Sequence, residues 1–94
     1  MTRVVRVAAA QLGPIQKTDS RESVVERLIR LMDEARANKV ELVVYPELAL
    51  TTFFPRWFVD DISEADHWYE RSMPSPVVQL LFDVARSSRI GFCL

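Results

Sequence analysis

Ninety-four residues suggest one domain, long enough to bury a small core, and 12 basic against 13 acidic residues leave a net charge of −1. No basic stripe is present to meet a phosphate backbone, which argues against nucleic acid as a partner. No apolar run approaches the roughly 20 residues of a membrane helix, and Met1-Thr2-Arg3 enters a strand without a signal-peptide core, so the expected setting is cytoplasmic, away from membranes. Cys93 is the only cysteine and closes no intrachain disulfide, in keeping with a reducing compartment.

Between Val4 and Leu12 the chain is mostly valine and alanine, and both faces are apolar after Arg6, which predicts a strand inside a sheet covered on both sides. Gly13-Pro14 breaks it. Thr18-Asp19-Ser20 supplies capping oxygens, with Glu22 three residues after Asp19 in the manner of a capping box, so a helix is expected from about Ser20 to about Asn38. Val24, Leu28, Leu31, Met32 and Ala35 form its apolar stripe, with Arg21, Glu26, Arg27 and Asp33 elsewhere on the cylinder. Leu42 to Tyr45 reads as a second short buried strand. Strand, helix and strand make the unit of right-handed parallel crossovers, and the fold class is α/β.

Leu48 to Val59 is too aromatic for a solvated loop, with Phe53, Phe54, Trp57 and Phe58 around Pro55 and Arg56, and is expected to bury. Ser63-Glu64-Ala65-Asp66 can cap a short helix through about Glu70. Ser75-Pro76 starts another helix, whose buried stripe is Val77, Leu81, Val84 and Ala85. Ile90 to Leu94 reads as a third strand, and an apolar strand in that position is expected to be followed by further chain.

One residue stands out for chemistry. Val43-Val44-Tyr45 is stopped by Pro46 and followed at once by Glu47, and ligands of open parallel sheets gather beyond the carboxyl ends of strands. Glu47 is therefore the candidate catalytic acid, the alternative being a strand-end carboxylate that is solvated or ion-paired. The other polar candidates have plainer readings. Cys93, inside an apolar strand, is expected to be a buried thiol acting as a small hydrophobe. Lys39 follows a helix carboxyl end, where exposed carbonyls stabilise a cation, and Lys17 is a turn residue. His67 stands alone, which argues against a metal site. Asp60-Asp61 reads as charge at a helix start, and Arg56 either meets a substrate carboxylate or, preferably, stacks on Trp57 or Phe54.

Tyr45-Pro46-Glu47-Leu48 after a strand, followed by a threonine-containing turn, resembles the first catalytic segment of the nitrilase superfamily of carbon–nitrogen hydrolases. Val7-Ala8-Ala9-Ala10-Gln11-Leu12-Gly13-Pro14 is similar to that superfamily's first strand and glycine turn. More narrowly, the block from Pro46 to Trp57, with Met73-Pro74 and Pro76-Val77-Val78, resembles the N-carbamoyl-D-amino acid amidohydrolases. The resemblance implies an αββα sandwich of which residues 1–94 are the N-terminal portion of a single domain, normally nearly three times as long. It also implies a Glu-Lys-Cys triad. A cysteine thiolate attacks, a glutamate handles the proton and a lysine steadies the oxyanion. Glu47 falls on the glutamate position, and the lysine and cysteine belong to later strand-end loops. Cys93 lies outside the family's nucleophile turn. The expected substrate is a small-molecule N-carbamoyl amino acid, with no organic cofactor or metal, in a homo-oligomer when the enzyme is complete. The alternatives are another amidase or nitrilase of the superfamily or, from a different class, a small non-catalytic α/β interaction module.

Overall fold

A computed structural model describes residues 2–94. Three short strands, β1 (Val7–Ala9), β2 (Leu42–Val44) and β3 (Gly91–Cys93), form a parallel sheet in the order β1-β2-β3. Helix α1 (Arg21–Ala37) joins the first two strands, and α2 (Pro76–Ser88) leads into the third. Right-handed crossovers that advance in one direction across a sheet put both helices on the same face. Accordingly α1 packs against α2, and both cover the face carrying Val43.

Among the described residues the helices cover one side of β1, and the second side, also expected to be covered, is open. The register aligns Ala8, Val43 and Phe92 towards the helices, and Ala9, Val44 and Cys93 on the opposite face. Val43 is fully buried, whereas Val7 is 60% and Val44 43% exposed. Cys93 is exposed as well, contrary to the buried thiol expected from its apolar neighbours. The described residues make two layers, one sheet and one pair of helices.

Local chemistry sets the helix ends. Ser20 Oγ accepts the Ser23 amide at 3.1 Å, capping α1 where expected. The box between Asp19 and Glu22 is not formed, because Asp19 accepts the Gln16 amide at 2.8 Å and faces Arg27 at 3.7 Å. Packing against both sheet and α2 widens the buried arc of α1, so Val25 is buried and Leu31 only half-buried. Ser75 Oγ caps α2 with Pro76 in its first turn, and the fully buried residues there are Val78 and Leu81, with Val77 and Val84 half-buried. Both helices close alike. Lys39 and Arg89 take left-handed backbone at φ 60° and 56°, and the Val40 and Ile90 amides donate to Ala35 and Ala85 at 3.0 Å. Buried Val40 and Ile90 then feed directly into β2 and β3.

Between β2 and α2 the chain forms two 3₁₀ segments, Phe54–Arg56 and Ile62–Trp68. Asp61, not Ser63, caps the second by accepting the Ser63 amide at 3.0 Å, and that bond, with the Ser63 side chain, holds the Asp61 carboxyl below the ordinary range. The aromatic loop buries only in part. Phe54 stacks on Trp68 at 5.5 Å, but Phe53 and Phe58 are 54% and 88% exposed. No helix among the described residues is long and apolar enough to cross a membrane.

Tyr45 locks sheet to helix. Its hydroxyl donates to the Leu28 carbonyl at 2.7 Å, and its ring meets Phe92 edge-on. Burial, then the nearby Asp33 carboxylate, pushes the phenol up from 10.0 to about 12. The unfolded chain loses this proton near 10 and the folded chain near 12, so between those values the unfolded state holds fewer protons and stability falls as pH rises. Denaturant melts across this window are expected to lose roughly 2 to 3 kcal/mol that Tyr45→Phe does not lose. Parallel losses in both proteins would contradict it.

Candidate active site

Glu47 sits at the carboxyl end of the central strand because of what precedes it. The Tyr45 amide makes the last ladder bond, to the Cys93 carbonyl at 3.0 Å, and Pro46 has no amide to continue it. The chain then turns through residues 47–50. Leu48 takes φ 52°, a left-handed conformation that costs a non-glycine residue about 1 kcal/mol or more, and the Thr51 amide closes the turn on the Leu48 carbonyl at 3.3 Å. Thr51 and Thr52 are buried behind it, Thr51 Oγ1 donating to the Thr52 carbonyl at 2.9 Å and Trp57 Nε1 to Thr52 Oγ1 at 3.4 Å. The threonines are scaffold for the turn.

The Glu47 side chain is exposed and makes no ion pair or hydrogen bond among the described residues. It lines a cleft of about 160 Å³ between the Leu12–Ile15 loop, which leaves β1, and residues 46–53, which leave β2. Small-molecule pockets run from roughly 300 Å³ upwards. This cleft is smaller than that and therefore takes only part of a substrate. Its position beyond the carboxyl ends of adjacent parallel strands is where an α/β sheet presents its chemistry.

The family model for carbon-nitrogen hydrolases matches residues 6–94, nearly the whole chain and both walls of the cleft. The chain belongs to the carbon-nitrogen hydrolase family. The chemistry of that family is hydrolysis at carbon–nitrogen bonds, of amides or nitriles, in small-molecule substrates.

In this carbon-nitrogen hydrolase the other polar candidates do not converge on Glu47. Lys39 lies where α1 enters β2, at the amino end of the strand whose carboxyl end carries Glu47. Lys17 places its ammonium 5.1 Å from the Trp57 ring centroid, and the Arg56 guanidinium lies 4.8 Å from the same ring, so both cations are engaged in packing. Cys93 ends β3 on the open sheet face. His67 packs on Trp68, and no three His, Cys, Asp or Glu side chains gather into a metal-binding group among the described residues.

Two arginines of α1 organise the cleft, although by spacing alone both belong to the polar face of the helix. Arg27 Nη2 donates to the Leu12 carbonyl at 2.6 Å and the Pro14 carbonyl at 3.1 Å, holding the loop that forms one wall. Gly13, at φ 79°, lies between those carbonyls, with Arg27 Nη2 3.6 Å from where a Cβ would stand. Arg21 Nη1 donates to the Leu50 carbonyl at 3.1 Å, at the end of the Glu47 turn. One signal for Arg21 was available in the sequence. A cation in the first turn of a helix is opposed by the helix dipole, so an arginine directly after the Ser20 cap points to partners outside the helix.

Proposed function

We propose that this segment carries the acid of an N-carbamoyl-D-amino acid amidohydrolase, with Glu47 as the residue that accepts and returns the proton. The observation that carries the reading is Glu47 itself, unpaired in a cleft at the end of β2. It is set within the Pro46 to Trp57 block that resembles this subfamily. In this reading Glu47 takes the proton of a cysteine thiol as its sulfur adds to the ureido carbon, and a lysine holds the developing oxyanion. Glu47 returns the proton to the nitrogen that leaves as its C–N bond breaks, and water then cleaves the sulfur-bound intermediate. One water is consumed, and the products are a D-amino acid, ammonia and carbon dioxide. The nucleophile and the lysine lie outside these 94 residues, on later loops of the same domain. The open face of the sheet, carrying Val7, Ala9 and Val44, is where a second sheet of an αββα sandwich stacks, and the complete enzyme is a cytoplasmic homo-oligomer.

Ammonia release from a panel of N-carbamoyl-D-amino acids, their L counterparts, simple amides and nitriles tests the substrate class. The D-carbamoyl compounds are expected to react and their mirror images are not. Preference for an amide or nitrile would instead assign the segment to another branch of the family. The 94 residues on their own are expected to release no ammonia above a buffer blank, since an acid without nucleophile and oxyanion contact lacks the covalent step.

A further inference from the structure

We infer that Arg21 is the positioning residue for Glu47, acting through the backbone of the turn that begins with it; this rests on the reading of Glu47 as the catalytic acid. Its guanidinium ties together two segments, the turn after β2 and the end of the second 3₁₀ segment. Nη1 donates to the Leu50 carbonyl at 3.1 Å, Nη2 to the His67 carbonyl at 3.3 Å, and Nε lies 2.5 Å from Glu70 Oε1. The last contact is a charge pair and not an aligned hydrogen bond, because buried Oε1 accepts no aligned N–H. Both side chains are largely buried, 22% and 17% exposed, so the pair is shielded from the screening that weakens surface ion pairs.

The geometry gives this clamp a task. The turn from Glu47 contains a left-handed leucine, and a conformation of that kind persists only where its surroundings hold it. Its only internal backbone closure is the 3.3 Å bond from Thr51 to Leu48. Arg21 adds a bond from the end of α1, a helix fixed in the core by fully buried Leu28 and Met32. Glu70 and the His67 carbonyl fix the guanidinium plane from the other side, so that Leu50 is held at a set distance from the helix. A planar fork can donate to two carbonyls in fixed directions while its charge faces a carboxylate, which a lysine ammonium on a flexible stem cannot do.

The test uses the active enzyme that carries this segment together with its nucleophile and lysine. Arg21→Lys, Glu70→Gln and Glu47→Gln are compared by kcat, KM and amide hydrogen exchange. In Arg21→Lys, exchange is expected to rise across residues 47–52 and stay unchanged across 24–36. The kcat of that variant is expected to fall about 10- to 100-fold with KM changed by less than about threefold, as a misplaced catalytic group requires. Glu70→Gln shifts both readouts the same way by less, and decides the matter if Arg21→Lys does not fold. Unchanged exchange at 47–52, or wild-type kcat in Arg21→Lys and Glu70→Gln beside an inactive Glu47→Gln, overturns the positioning role alone. Full turnover in Glu47→Gln removes the acid assignment and the positioning role with it.

Discussion

Leu28→Ala is expected to destabilise the protein by about 2 to 5 kcal/mol, a large share of the roughly 5 to 15 kcal/mol that holds a domain together. Leu28 is fully buried at the centre of the cluster formed by α1, α2 and β2, together with Met32, Val43, Val78 and Leu81. Truncation removes apolar contact and leaves a cavity between two helices and a sheet that collapse only in part. The same residue's carbonyl accepts the Tyr45 hydroxyl, so the cavity opens beside the bond that anchors the strand leading to Glu47. Urea titration with far-ultraviolet dichroism checks the effect, and a change below about 0.5 kcal/mol, typical of surface positions, would contradict the packing described.

Much of the fold is legible in the sequence because its signals are local. Ser20 and Ser75-Pro76 mark the two main helix starts, and Pro46 marks the end of β2 directly before the candidate acid. What was not legible depends on relations between distant segments. The residues around Ala8 to Ala10 are equally small and apolar on both faces, so their pattern does not say which face is covered. That follows from the sheet order and the handedness of two crossovers taken together. Cys93 reads as buried from Ile90 and Phe92, yet pairing with β2 sets it beside Val44 on the open face. Asp61 displaced Ser63 as a cap because either side chain can accept an amide at a helix start, and only the backbone path chooses between them. A cation directly after the Ser20 cap marks Arg21 as reaching outside its helix, but its partners were hidden for a different reason. Two of its partners are backbone carbonyls 29 and 46 residues away, and a carbonyl leaves no mark in the sequence.

Glu47 carries the proposed chemistry of the site. Glutamine keeps the size and much of the hydrogen-bonding shape of glutamate but removes the base, so Glu47→Gln is expected to lower turnover at least about a hundredfold, the low end of general acid–base contributions. Stability should change little, because the exposed carboxylate has no ion-pair partner among the described residues. Cys93→Ala should leave turnover close to wild type, since the thiol lies off the cleft, and should cost about 1 to 2 kcal/mol of stability where the second sheet of the complete enzyme covers that face. The decisive measurement is kcat per folded molecule for these two variants in the active enzyme, read as ammonia released under saturating substrate and normalised to the folded fraction. Turnover is expected to be lost in Glu47→Gln and retained in Cys93→Ala; retention in Glu47→Gln would remove Glu47 from the role of catalytic acid, and loss in well-folded Cys93→Ala would contradict a thiol that lies off the cleft.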